Sequence, residues 1–211
     1  MTPLTWCAFT GVMLALLLVF AEWRGSSLAN IILKPLASTG FLGAAWAGGA
    51  LESSYGIAIL VALGLSWLGD VLLIPKGAKG AFLGGLAAFL AGHVAYVVAF
   101  VLHGVDPMVT ALALVPAGVA AATVGRSLVG AAPPKLRTPV VGYVAVISAM
   151  VAAAAGTFGA GGAATLPLGA ILFYISDLGV ARERFVKQSL WNRMVTLPLY
   201  YGAQLLFATS V

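Results

Sequence analysis

The segment AFLGGLAAFLAGHVAYVVAFVL, residues 81–102, contains no Lys, Arg, Asp or Glu side chain. At ~1.5 Å of rise per residue, a helix of this length spans about 33 Å, which is enough to cross the hydrocarbon core of a bilayer. Its many glycines and alanines are typical of membrane helices, in which small residues allow close packing. The segment therefore predicts a transmembrane helix.

Similar apolar segments follow one another along the whole chain. They predict about eight spans, at Pro3–Ala21, Ala29–Gly49, Gly56–Ile74, Ala81–Leu102, Met108–Val129, Pro139–Thr157, Gly162–Ala181 and Arg193–Ser210. Eight spans use nearly all of the 211 residues, so we predict an all-α polytopic membrane bundle that forms one transmembrane domain over residues 1–211. The N-terminal segment lacks a basic region, which predicts a retained first span rather than a cleaved signal peptide.

The composition excludes a soluble protein. Hydrophobic residues make up 62% of the chain and charged residues only 8%, whereas a soluble domain has about 25% charged residues. The net charge of +5 is better explained by loops that face anionic lipid than by nucleic-acid binding. The single Cys7 cannot form an intramolecular disulfide, so it does not identify the redox compartment.

The basic residues predict the orientation of the bundle. Loops and adjoining span ends on the side opposite the N-terminus contain Arg24, Lys76, Lys79, Arg126, Lys135, Arg137, Arg182, Arg184, Lys187 and Arg193. Loops on the N-terminal side contain no Lys or Arg, so the basic side is predicted to be cytoplasmic and both termini non-cytoplasmic. We expect a multi-pass protein of a bacterial inner membrane. For Arg182, Arg184 and Lys187 we predict contact with lipid phosphates rather than catalysis.

Four ionisable side chains lie inside the predicted spans: Lys34, Asp70, His93 and Asp177. Each costs several kcal/mol in a bilayer unless it faces the bundle and has partners, so together they indicate a functional site. At ~1.5 Å per residue, Lys34 and the two aspartates lie roughly 6–8 Å from the cytoplasmic edge and His93 roughly 18 Å. Snorkelling would explain Lys34 alone, but it does not explain His93. We predict a polar pocket that opens to the cytoplasmic leaflet.

Further polar residues lie at helical spacing around these four. On the last span, polar side chains recur every four positions from residue 192 to residue 204, so they share a face that must point into the bundle. Tyr96 lies one turn from His93, and we predict His93 and Gln204 at the floor of the pocket. The predicted substrate-binding residues are Lys34, Tyr96, Asn192, Thr196, Tyr200 and Gln204.

The residue types in this pocket favour carboxyl chemistry. A catalytic zinc usually takes three His, or two His and a carboxylate, but His103 is predicted in a loop on the opposite side from His93. We therefore predict no metal and no other cofactor, and no GxSxG motif indicates a serine nucleophile. Two neighbouring Asp side chains in a low-dielectric pocket do not both ionise readily, so one can act as an acid at neutral pH. Lys34 beside the other would hold that one ionised, and the pair could hydrolyse a bond through an oxocarbenium ion.

Several short motifs occur between Lys34 and Gln204. They are Lys34-Pro35-Leu36, Leu68-Gly69-Asp70, Leu72-Leu73, Phe82-Leu83-Gly84-Gly85-Leu86, Phe89-Leu90, His93 with Tyr96, Ser176-Asp177, Phe185, and Tyr200-Tyr201 with Ala203-Gln204. In this order and spacing they resemble the lysoplasmalogenase (YhhN) family of eight-span membrane enzymes. One departure is Leu199 before the paired tyrosines, where Thr is expected; Thr196 could supply that hydroxyl one turn earlier.

The resemblance implies an ether-bond hydrolase that cleaves the vinyl ether of lysoplasmalogen to a fatty aldehyde and glycerophosphoethanolamine or glycerophosphocholine. It also implies that Asp70 and Asp177 are the catalytic pair, one as acid and one as carboxylate. Water would be oriented by His93 or Tyr200, and Lys34 would either hold the lipid phosphate or tune an Asp. The expected partners are a lysophospholipid substrate and membrane lipids, with no nucleic acid and no obligate protein partner.

Two other functions fit the same residues. A transporter or lipid-binding protein would use the buried carboxylates and Lys34 for protons or ions. The similarity of residues 65–70 to residues 172–177 would then reflect two duplicated halves. A hydrolase of another lysolipid would need the same pocket. Products from a panel of lipids would distinguish the three functions.

Overall fold

The computed structural model describes residues 2–75 and 77–211, so Lys76 of the basic loops lies outside the described residues. Within these ranges the chain forms eight α-helices and no strand, which confirms the predicted all-α bundle. The helices are α1 Pro3–Trp23, α2 Ser27–Ala47, α3 Ser54–Leu72, α4 Lys79–His103, α5 Pro107–Ala131, α6 Pro134–Gly159, α7 Thr165–Phe185 and α8 Leu190–Ala208. A 3₁₀ turn, Ala50–Glu52, joins α2 to α3.

Seven of the helices in the described ranges are long and apolar enough to cross a membrane. The eighth, α8, is less apolar because it contains Asn192, Arg193, Thr196 and Gln204. Thr196 and Gln204 are buried inside the bundle, so the polar face of α8 is turned away from the outer surface. That surface exposes large apolar side chains, among them Leu28, Met108 and Leu112. The chain is an integral multi-pass membrane protein.

Consecutive helices pack as antiparallel hairpins, α1 with α2, α3 with α4, α5 with α6 and α7 with α8. α8 also contacts α1, α2 and α3, and α4 contacts α6, so these contacts join the four hairpins into one bundle. α5 packs on α6 and α7 at the edge. The hairpin turns lie at one end of the bundle, which is the end with the basic loops.

Capping residues and glycines explain where these helices begin and how closely they pack. Thr2, Ser26, Ser53 and Asp106 accept a hydrogen bond from a backbone N–H in the first turn of α1, α2, α3 and α5. A Cβ at Gly40 would lie 2.7 Å from Gly11 Cα, so the close approach of α1 and α2 requires glycine at position 40. A Cβ at Gly69 would lie 2.6 Å from the Phe89 ring, so Gly69 makes room for this ring beside Asp70.

Candidate functional site

A cavity of about 120 Å³ lies between α2–α8 in the half of the bundle near the basic loops. We call it the apolar cavity, because most of its wall is aliphatic or aromatic. The apolar wall includes Leu73, Leu86, Phe89, Leu128, Val140, Val144, Ile147 and Leu197. Five predicted site residues also line it: Lys34, Asp70, Asp177, Thr196 and Tyr200.

Asp70 is buried near the end of α3, and three side chains hold its carboxylate. Ser38 donates a hydrogen bond to Oδ2 at 2.6 Å, and Tyr200 donates to the same oxygen at 2.6 Å. The Lys34 ammonium lies 3.1 Å from Oδ1. All three groups are donors, and one is a cation, so together they stabilise the ionised carboxylate. We call these four residues the Asp70 cluster.

The turn of α2 that presents Lys34 and Ser38 is supported from two other helices. The Tyr201 hydroxyl of α8 donates to the Lys34 carbonyl oxygen at 3.3 Å and lies 3.2 Å from Ser38 Oγ. On the other side, Trp67 of α3 donates its indole N–H to the Pro35 carbonyl oxygen at 3.3 Å. Because Pro35 lacks an N–H, it removes one internal hydrogen bond of α2, and these contacts hold the weakened turn in place.

Asp177 of α7 belongs to a second group of contacting side chains, which we call the Asp177 cluster. Tyr143 of α6 donates to Asp177 Oδ2 at 2.7 Å, and His93 Nε2 of α4 lies 2.8 Å from the same oxygen. The His93 and Tyr143 atoms are 3.0 Å from each other. No Lys or Arg of the described residues pairs with Asp177. Its side chain is 13% exposed, against 3% for the side chain of Asp70.

His93 is fully buried behind Asp177 and does not line the apolar cavity. Its ring packs on Phe173 at 4.6 Å between centroids, and no described residue hydrogen-bonds to Nδ1. Between Nε2 and a carboxyl oxygen, either group can carry the shared proton. His93 therefore lies behind Asp177 and Tyr143, which line the cavity, rather than forming its floor.

Three of the predicted substrate-binding residues lie outside the apolar cavity. Tyr96 donates its hydroxyl to Gln204 Oε1, and both side chains are fully buried between α4 and α8. This hydrogen bond connects two helices, and neither side chain lines the apolar cavity. Asn192 donates to the Gly179 carbonyl oxygen at 2.7 Å and lines a different space.

That space is a second cavity of about 910 Å³, nearer the basic loops, which we call the polar vestibule. The two cavities adjoin, because seven residues line both of them. These residues are Lys34, Leu73, Phe82, Val180, Arg184, Thr196 and Leu197. The vestibule is lined by more polar side chains, including Glu22, Asn30, Glu183, Gln188, Asn192 and Arg193. An amphiphilic ligand could therefore have its apolar chain in one cavity and its polar end in the other.

Arg193 connects two walls of the polar vestibule. Its Nη1 lies 3.1 Å from Glu22 Oε2 of α1, and its Nε lies 3.4 Å from Glu183 Oε1 of α7, an ion pair without hydrogen-bond geometry. Asn30 donates to Glu22 at 2.8 Å, and Asn192 donates to Glu183 at 3.3 Å. This network joins α1, α2, α7 and α8 around the vestibule.

Comparison with known proteins identifies the family, since residues 29–211 match the YhhN family. The chain belongs to the YhhN family. It is 33% identical to lysoplasmalogenase TMEM86A of Bos taurus over 159 residues, which are 72% of this chain and 64% of that protein. It is 33% identical to lysoplasmalogenase TMEM86B of Sus scrofa over 172 residues, 81% of this chain and 69% of that protein. The chain therefore spans less than two thirds of the length of TMEM86A, and no solved structure matches it.

The motifs that resemble the YhhN family meet in this site. Lys34, Asp70 and Tyr200 contact one another in the Asp70 cluster, although they come from α2, α3 and α8. His93 and Asp177 meet in the Asp177 cluster. The site of this YhhN-family chain is thus assembled from motifs that are far apart in sequence.

Tyr143 is a residue of the site that we did not predict. It lies in the apolar stretch VVGYVAV of α6 and donates to Asp177. The only sequence feature that could have indicated Tyr143 was its hydroxyl inside a predicted span. The four ionisable residues lie on other spans, so helical spacing could not connect Tyr143 to them. Elsewhere, the His103 ring packs on the Tyr55 ring in a tilted arrangement, with 4.6 Å between centroids, at the far end of α4. Among the residues that the structure describes, no three His, Cys, Asp or Glu side chains are grouped as metal ligands.

Proposed function

We propose that this YhhN-family protein hydrolyses the vinyl ether bond of lysoplasmalogens. Its relatives in Bos taurus, Sus scrofa and Homo sapiens carry the name lysoplasmalogenase, which supports this reaction. The observation that carries the proposal is that Asp70 and Asp177 line one apolar cavity with different partners. The apolar wall suits an alkenyl chain, and the carboxyl groups suit protonation of a vinyl ether followed by stabilisation of a cation.

In the proposed reaction, Asp177 is the acid. Its Oδ2 contacts His93 and Tyr143, while its Oδ1 accepts no hydrogen bond from the described residues. The proton moves from Asp177 to the outer vinyl carbon, where a C–H bond forms as the C=C bond becomes C=O⁺. His93 acts through Asp177, because it can supply or hold the shared proton while remaining behind the cavity wall.

Asp70 is the carboxylate that stabilises the oxocarbenium ion. The contacts of Lys34, Ser38 and Tyr200 support this role, because each stabilises the ionised form. Water then adds to the cationic carbon and returns a proton to Asp177. The resulting hemiacetal transfers its hydroxyl proton to the departing glycerol oxygen as the C–O bond breaks, which releases the aldehyde. Tyr200 lines the cavity, so we assign the orientation of water to it rather than to His93.

We also propose that the protein lies in a bacterial inner membrane with its basic loops in the cytoplasm and both termini on the other side. The supporting observation is that the loops that contain Lys and Arg are the hairpin turns, which lie at one end of the bundle. The substrate would then enter from the inner leaflet. A reporter enzyme that is active only outside the cytoplasm should be active when it is fused to either terminus. Activity of a reporter that works only in the cytoplasm, fused at the same positions, would contradict this orientation.

Aldehyde release by the purified protein tests the proposed reaction. The two lipids compared are a 1-alkenyl lysophospholipid and a 1-acyl lysophospholipid with the same chain length and head group. We expect aldehyde from the vinyl ether and no fatty acid from the ester. Fatty acid from the ester alone would indicate a hydrolase of another lysolipid, and no product from either lipid would favour a transporter or lipid-binding protein. Asp177→Asn is the control for contaminating hydrolases.

A chelator tests whether the reaction needs a metal. The proposed acid and carboxylate use only protein groups and water, so we expect aldehyde release to persist after the protein is dialysed against EDTA. Complete loss of activity that is restored by added metal would contradict the metal-free mechanism.

A further inference from the structure

Three basic residues near the end of α7 have different surroundings, although all three were predicted to contact lipid phosphates. Arg182, Arg184 and Lys187 are all exposed. Arg184 lines both the apolar cavity and the polar vestibule, whereas Arg182 and Lys187 line neither. Contact with the bilayer surface therefore suits Arg182 and Lys187, but it does not explain the position of Arg184.

Among the residues that the structure describes, Arg184 has no acidic partner, unlike the other cations around the site. Lys34 pairs with Asp70, and Arg193 pairs with two glutamates. No carboxylate within the described ranges pairs with Arg184. The guanidinium carbon of Arg184 lies 4.1 Å from the centroid of the Phe82 ring, a cation–π contact, and its N–H groups donate no hydrogen bond to a described residue. The N–H groups at its edge are therefore available to an anion.

The position of Arg184 also suits the phosphate of an amphiphile that spans both cavities. Arg184 and Phe82 lie where the apolar cavity adjoins the polar vestibule. In a lysoplasmalogen, only the glycerol backbone separates the vinyl ether from the phosphate. A substrate with its vinyl ether beside Asp70 and Asp177 would therefore extend its phosphate into the vestibule. A guanidinium can bind phosphate through two parallel N–H···O hydrogen bonds.

We propose that Arg184 binds the phosphate of the lysophospholipid substrate and that the polar vestibule is the head-group subsite. The identity of the substrate rests on the proposed function. The assignment also separates two roles that the sequence left open for Lys34. Lys34 holds Asp70 as a carboxylate, and Arg184 holds the phosphate.

Arg184→Gln, with Arg182→Gln and Lys187→Gln as matched controls, tests this assignment. Each variant is given a 1-alkenyl lysophospholipid and a 1-alkenylglycerol, which has the same vinyl ether but no phosphate. Loss of a charge-assisted contact should reduce the kcat/KM of Arg184→Gln for the phospholipid by about tenfold or more, mainly through KM. The kcat/KM of Arg184→Gln for 1-alkenylglycerol should stay within about twofold of wild type. The two control variants should stay within the same range on both substrates.

Equal losses on the two substrates, or an equal loss in a control variant, would overturn the assignment. A binding measurement makes the test independent of turnover. A saturated 1-alkyl lysophospholipid has no vinyl group to protonate, and it should raise the unfolding temperature of wild type and Arg182→Gln more than that of Arg184→Gln. If no lipid yields aldehyde while this binding difference persists, the proposed function fails and the phosphate subsite remains. If aldehyde is released and Arg184→Gln behaves like wild type, only the subsite fails.

Discussion

Asp70 and Asp177 line the same cavity, but the side chains around them differ in charge, in exposure and in helix of origin. Asp70 contacts a cation and two hydroxyl donors, and its side chain is 3% exposed. Asp177 contacts an imidazole and one hydroxyl, and its side chain is 13% exposed. Of the two aspartates, only Asp70 is paired with a lysine or arginine among the described residues, so two chemically identical groups have different electrostatic surroundings.

The two clusters are also linked to each other across the bundle. Asp70 lies on α3 and receives a hydrogen bond from Tyr200 of α8, whereas Asp177 lies on α7 and contacts His93 of α4. Asp70, in the α3–α4 hairpin, thus has a partner on α8, and Asp177, in the α7–α8 hairpin, has a partner on α4. Neither the α3–α4 hairpin nor the α7–α8 hairpin contains a complete cluster, so the site requires both hairpins to be packed together.

Replacing each carboxyl group by an amide should have the largest effect on activity. Asp177→Asn removes the proposed acid, so we expect kcat to fall by about 10³-fold. Asp70→Asn removes the charge that stabilises the cation, and we expect a loss of about 10²-fold. Aldehyde release at saturating substrate measures both. A rate near that of wild type in either variant would remove that aspartate from the mechanism.

Replacing Lys34 should affect the stability of the Asp70 cluster alone, because Lys34 forms an ion pair with Asp70 and not with Asp177. Lys34→Met leaves a buried carboxylate without its cation and should lower the free energy of unfolding by about 2 kcal/mol. Combining Lys34→Met with Asp70→Asn removes both charges, so the double variant should be more stable than Lys34→Met while staying inactive. Unfolding temperatures and aldehyde release measure the two effects. A double variant no more stable than Lys34→Met would show that the two residues are not coupled.

Deleting single hydroxyl groups should give the smallest differences. Tyr143→Phe leaves Asp177 with His93 alone, so we expect kcat to fall about tenfold. Tyr200→Phe leaves Asp70 with Ser38 and Lys34, so a loss of about threefold is expected. Tyr96→Phe is the matched control, because it breaks a core hydrogen bond and should lower stability without changing kcat. A loss in Tyr143→Phe no larger than the loss in Tyr96→Phe would contradict the assignment of Asp177 as the acid.

The helices could be predicted because apolar length is a local property of the chain. Each predicted span overlaps one helix, and the differences are at the ends. α7 continues to Phe185, beyond the predicted end at Ala181, since a helix does not stop where its side chains become charged. α8 begins at Leu190, ahead of the predicted start at Arg193. Hydropathy predicts which residues lie in the membrane, whereas backbone hydrogen bonds determine the residues at which each helix begins and ends.

The amino-acid sequence predicted Lys34, Asp70, His93 and Asp177 as candidate site residues, because the cost of an ionisable group in a bilayer is a property of the residue itself. It could not assign their partners. Asp70 contacts residues 32 and 130 positions away, and His93 and Asp177 are 84 positions apart. Such contacts depend on how each helix is rotated and packed. For the same reason, helix packing was needed to bring Tyr143 to Asp177, pair Lys34 with Asp70, and distinguish Arg184 from its basic neighbours.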